Sequence, residues 1–117
     1  MTTFRARRVY DDPSADDGIR ILADRLWPRG LSKDKAGVDL WPKDVTPSNE
    51  LRTWYHAHPE EFDEFAGRYR TELEGQDDAL DQLRSAGAVV TLLTARKEIE
   101  GSHLTVLLEV LESNPPL

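Results

Sequence analysis

The sequence predicts an α/β fold: a single domain with a small, mainly parallel sheet of three to four strands flanked by helices. Three observations carry this. Residues 88–93, AVVTLL, are β-branched and almost continuously apolar, as a strand buried on both faces would be. Phe62, Phe65, Ala66, Tyr69 and Leu73 recur at helical spacing. Segments of helical length separate the apolar runs, as parallel crossovers require.

Taken in order, residues 4–10, FRARRVY, alternate well enough for a first strand, and residues 11–18, DDPSADDG, read as a solvated loop. Residues 19–23, IRILA, form a second, largely buried strand. Gly30 and Ser32 close the turn after it, residues 33–36 make a helical turn, and Val38, Asp39, Leu40 and Trp41 read as a third short strand broken by Pro42. A helix then starts near Ser48, with Ser48 or Thr46 as its cap, Pro47 near its first turn and Glu50 beside its positive end. Leu51, Trp54 and Tyr55 make its inner face.

His58 and Pro59 break that helix and introduce the strongly amphipathic one, which Gly75 ends. Ala79, Leu80, Leu83 and Ala86 give a shorter helix stopped by Gly87. After the apolar strand, a last helix spans about residues 102–111 with Leu104, Leu107, Leu108 and Leu111 inward, and Pro115 and Pro116 end the chain.

The 117 residues suit one domain spanning 1–117. A formal charge of −7 argues against a nucleic-acid role built on bulk electrostatics. The charge is uneven, however: residues 1–43 carry nine Lys or Arg against seven acids, and residues 44–117 carry six against fifteen. An anionic partner is therefore expected on the N-terminal third. Cysteine is absent, which removes disulfides and thiolate metal sites. The start, MTTFRARRVY, has no apolar signal core, and no run approaches the ~18 apolar residues of a membrane span, so a soluble cytoplasmic protein without membrane contact is expected.

In open α/β sheets ligands bind beyond the carboxyl ends of the strands. Asp24, Arg25 and Arg29 follow one strand, and Thr94, Arg96 and Lys97 follow another, so parallel strands would bring these exits to one edge. The helix starting near Ser48 would turn its amides and Arg52 to the same region. Converging guanidinium forks select phosphate or carboxylate, and the expected partner is a small anion: phosphate, nucleotide or carboxylate. Trp27, beside Pro28 in a turn, is the candidate stacking face. Asp24 is the most plausible acid or base at the strand end. The competing reading makes the arginines structural, pairing Arg25 with Asp39 or Asp24 and Arg68 with Glu72, in a non-enzymatic accessory protein.

His56, His58 and His103 lack metal-ligand spacing, and no metal is expected. His56 could serve as a general base, but no Ser or Cys nucleophile is spaced to form a triad with it. GxGxxG, GxxxxGK[ST] and HExxH are absent, and no cofactor is expected.

The stretches DGIRILADRLWPRGLSKDKA, DLWPKDVTPSNELRTWYH, FAGRYRTEL and VTLLTARKE resemble the YeaO-like family of small bacterial proteins, from about Arg8 to Leu111. The resemblance implies an α/β fold with a short parallel sheet and brings no established activity. The motif set it marks is Asp24, Arg25, Trp27, Pro28, Arg29 and Gly30; Trp41; Pro47, Ser48, Leu51, Arg52 and Trp54; and Phe65, Arg68, Tyr69 and Glu72. Together with Lys97 at the last strand's exit, these supply the candidate ligand set Arg25, Trp27, Arg29, Ser48, Arg52, Arg68, Tyr69 and Lys97. That exit departs from the family pattern of Ala-Lys-Asp followed by His. Glu98 stands for the aspartate and Gly101 for the histidine, with His103 two positions later.

Overall fold

The most apolar run of the chain takes the centre of the sheet. In the computed structural model, which describes residues 2–113, β3 (Val89–Thr94) pairs in parallel with β1 (Thr3–Arg8) on one side and β2 (Ile19–Leu22) on the other. The helices are α1 (Lys33–Ala36), α2 (Asn49–Ala57), α3 (Phe62–Leu73), α4 (Asp77–Arg84) and α5 (His103–Ser113). Pro115 and Pro116 lie outside the described residues.

Both faces of the sheet are covered, as a parallel sheet requires. On one face Ile21, Val90 and Leu92 pack with the inner residues of the four longer helices, among them Leu51, Phe65, Tyr69, Leu73, Leu83, Leu104 and Leu107. On the other, Val9, Leu22 and Leu93 pack with Ala36, Trp27, Leu31, Val38 and Trp41. The period-2 alternation of a strand sorts neighbours Leu92 and Leu93 to opposite layers.

The expected third strand shrinks to a single parallel bridge between Leu40 and Ile21. The Asp39 carboxylate takes the Arg20 amide at 2.9 Å, and Pro42, which has no donor, leads into a 3-10 turn at Lys43–Val45. The sheet thus has three strands among the described residues, all parallel.

The solvated loop expected at residues 11–18 needs a larger correction, because Asp17 is fully buried. Ser14 caps a 3-10 turn at Ala15–Asp17, and its amide donates to the Asp17 carboxylate at 3.0 Å. Arg7 Nη1 donates to both carboxylate oxygens, at 2.7 and 2.8 Å, and Arg20 Nη1 adds a third charged contact at 2.5 Å. The Thr91 hydroxyl donates to the Asp17 carbonyl at 2.7 Å, which ties the turn to the central strand. Arg20 also donates to the Ala36 carbonyl and anchors α1. Side chains from all three strands therefore meet at one buried residue, Arg7 and Arg20 at the Asp17 carboxylate and Thr91 at its backbone carbonyl.

Gly18, next in the chain, has φ +62°, and a Cβ there would lie 2.2 Å from the Val89 carbonyl oxygen. Only glycine fits. Gly18→Ala is expected to cost more than about 2 kcal/mol, combining left-handed strain with a backbone clash. Chemical denaturation checks this, and a change below about 0.5 kcal/mol contradicts it.

Candidate functional site

The parallel register sets Leu22 of β2 beside Leu93 of β3, so the two strand exits lie together. Asp24 joins them directly: its Oδ2 accepts from the Ala95 amide at 2.8 Å. His103, at the start of α5, closes the group from a third element, with Nε2 2.8 Å from the Ala23 carbonyl oxygen and 3.0 Å from Asp24 Oδ1. The Ala23 carbonyl can only accept, so Nε2 donates to it, and Asp24 Oδ1, beside the same nitrogen, is a buried oxygen without a directed hydrogen bond of its own among the described residues. Burial acts to raise the Asp24 carboxyl. The nearby His103 ring, the Ala95 amide and the Thr94 hydroxyl outweigh it and hold the group below its ordinary value.

The loop after Asp24 is fixed by its own indoles. Trp27 Nε1 donates to the Leu31 carbonyl and Trp41 Nε1 to the Asp24 carbonyl, each at 2.7 Å, while the two rings meet edge to face at 5.4 Å. Trp27 is accordingly half-buried, packed against the second core layer while its remaining surface lines the cleft beyond the strand exits, and its neighbour Leu26, 60% exposed, stands in the open.

Beyond these exits lies a cleft of about 1160 Å³. Arg25, Arg29, Arg52 and Arg96 line it, with Asp24 as its one carboxylate among the described residues. Arg25 reaches across the cleft's edge, Nε donating to the Pro47 carbonyl at 3.0 Å. Arg52 Nη1 donates to Asn49 Oδ1 at 3.1 Å, and the Arg96 guanidinium stands 5.5 Å from the Tyr55 ring centre. Among the described residues, none of the four arginines forms an ion pair. The floor is aromatic, with Tyr55 stacked on Phe65 at 4.2 Å.

Four of the eight candidate ligand residues stand elsewhere. Ser48 caps α2, its hydroxyl accepting from the Leu51 amide, and both its amide and hydroxyl donate to Glu72 of α3, the amide at 2.9 Å. A carboxylate of the chain itself thus fills the expected anion position at this helix N-terminus. Arg68 pairs with Glu64 on the outer side of α3 and lies over Trp54 at 4.3 Å. Tyr69 is fully buried and donates to the Val45 carbonyl. Burial pushes its phenol up, with help from the nearby Glu72 and Asp24 charges. Lys97 is exposed beyond the cleft, and Arg96 holds the place expected for it.

The cleft also gathers residues outside the candidate ligand set: Arg96, His103, His56, Tyr10 and Tyr55. Arg96 had a signal, its place at the β3 exit. For His103 the sequence offered only a displaced histidine, and the fold returns it to Asp24 from 79 positions away.

No helix among the described residues is long and apolar enough to cross a membrane, and no group of three or more His, Asp or Glu among them could hold a metal ion.

Comparison with known proteins places these features in a family. The family described as "Inactive DUF488-N3 subclade" matches residues 3–115. The uncharacterized protein Rv3073c of Mycobacterium tuberculosis (strain H37Rv) is 50% identical over 112 residues, covering 94% of each chain. The uncharacterized protein YeaO of Escherichia coli (strain K12) is 37% identical over 112 residues, covering 94% of this chain and 97% of its own. No solved structure matches the chain significantly. The chain belongs to the YeaO-like proteins of the inactive DUF488-N3 subclade.

Proposed function

We propose that the protein binds a small anionic ligand, phosphate- or carboxylate-bearing, in the cleft at the strand exits, without transforming it. One observation carries the reading. In a chain of net charge −7, four arginines line one concave site and none forms an ion pair among the described residues. Of the seven arginines outside the cleft, six find acids, among them Arg68 with Glu64, Arg70 with Glu109 and Arg84 with Asp81; Arg8 instead donates to the Arg96 carbonyl. Unmatched guanidinium groups around a partly enclosed space create a positive potential that an anion relieves through charge-assisted hydrogen bonds.

Binding rather than catalysis is supported by the state of Asp24. Its two oxygens face the Ala95 amide and His103, and a carboxylate held below its ordinary pKa is a poor general base near neutral pH. The family's description as inactive agrees with this.

Thermal unfolding in the presence of pyrophosphate tests the proposal. A ligand at 100 times its Kd stabilises by about 2.7 kcal/mol, which for a chain of this size is a rise of several degrees in Tm. Wild-type protein is expected to show such a rise and Arg29→Ala to lose most of it. A flat wild-type response to pyrophosphate, and to a dicarboxylate such as citrate, contradicts the reading.

A further inference from the structure

The cleft is cationic only in part. Of the three large hydrophobic side chains that stand exposed among the described residues, Tyr10 (43%), Leu26 (60%) and Leu40 (45%), two line it. Leu26 is held outward because the Trp27 and Pro28 beside it turn into the protein, and Tyr10 is fixed by its hydroxyl, which donates to the Arg29 carbonyl at 3.2 Å. Pro28, Pro59, Ala57, Tyr55 and Phe65 continue the apolar lining inward. Inorganic phosphate or a small carboxylate would satisfy the arginines and leave all of this surface wet. An exposed apolar wall beside convergent cations is the complement of a ligand whose anionic group is carried on a flat apolar body.

Resting on the anion-binding reading, we infer that the ligand is a nucleoside monophosphate, its phosphate among Arg25, Arg29, Arg52 and Arg96 and its base against Leu26 and Tyr10. The cleft, at about 1160 Å³, has room for the whole molecule. Its single carboxylate, Asp24, leaves the site net positive, so a phosphate dianion retains its attraction. A base is the fitting apolar body because it offers an unsaturated face to Tyr10 and to the guanidinium planes, where stacking and cation contacts add to simple burial.

Isothermal titration of the full chain with three probes, inorganic phosphate, ribose 5-phosphate and AMP, separates the contributions. AMP is expected to bind at least tenfold more tightly than ribose 5-phosphate. Leu26→Ser, a change at an exposed position that leaves the core intact, should bring AMP down to the affinity of ribose 5-phosphate, while Leu40→Ser, outside the cleft, should not alter AMP binding. If ribose 5-phosphate and AMP bind equally in the wild type, or Leu26→Ser and Leu40→Ser behave alike, the inference is overturned and the anion reading stands. If none of the three probes binds, the inference is overturned, and the anion reading falls with it when pyrophosphate and citrate fail to bind as well.

Discussion

Asp17→Ala is expected to destabilise the protein by about 3–5 kcal/mol, a large part of the stability of a domain of this size. The reason is the asymmetry of buried charge. Arg7 and Arg20 converge on one fully buried carboxylate, and the Arg20 side chain is itself only 4% exposed. Removing Asp17 leaves the Arg20 guanidinium desolvated without a counter-charge and takes from the turn the carboxylate that accepts the Ser14 amide, while the Thr91 bond, made to the backbone carbonyl, remains. Removing a surface partner such as Glu64 of the Arg68 pair should cost less than about 1 kcal/mol, since both side chains are about half exposed.

The same carboxylate sets a pH dependence. Burial acts to raise Asp17, but the hydrogen bonds from Arg7, Ser14 and Arg20 overcome it and lower the group to about 2. An unfolded aspartate titrates near pH ~3.9, so over the interval between the two values the unfolded chain binds the proton and the folded chain does not. Asp17's contribution is therefore fully present above about pH 4 and is lost as pH falls toward 2. Denaturation of the wild type should show stability falling across this interval, and Asp17→Asn, already destabilised, should show a shallower fall. Parallel curves for the two proteins would refute the assignment.

The second large effect is on binding. The double variant Arg29→Ala, Arg52→Ala removes two of the four cleft guanidiniums while sparing Arg25, whose bond to the Pro47 carbonyl also holds the loop. A hydrogen bond to a charged group contributes about 1.5–3 kcal/mol, so loss of both should weaken anion binding by about 100-fold or more. Neither residue forms an ion pair, and Tm without ligand should change by no more than a few degrees. A variant that binds pyrophosphate as the wild type does would show that these arginines are not ligands.

Much of this architecture is legible in the residues. The apolar run at 88–93 announces β3 because a central parallel strand must be apolar on both faces, and the spacing of Phe62, Phe65, Tyr69 and Leu73 announces α3 because its helix buries one stripe. The arginines after β2 could be set at a cleft edge from the strand-exit rule alone. Long-range pairing could not be read. The string DDPSADDG has the composition of a solvated loop, and nothing local distinguishes Asp17, which is buried by strand arginines, from the exposed Asp16 one position before it. The N-terminus of α2 had the form of an anion site, yet Glu72, 24 residues further on, already occupies it. Trp27, expected to present an exposed face, is half-buried because its indole N–H finds a carbonyl partner four residues away, and Leu26, for which the sequence held no signal, stands in the open instead.

Arginine side-chain NMR reads directly where an anion meets the protein. Titrating pyrophosphate into protein labelled at arginine should shift the Nε–H resonances of Arg29, Arg52 and Arg96 together, with one saturation curve, while Arg68, Arg70 and Arg84, each already paired with a carboxylate, stay in place. Equal small shifts across all of the arginines, or movement confined to those outside the cleft, would contradict an anion-binding cleft at the strand exits.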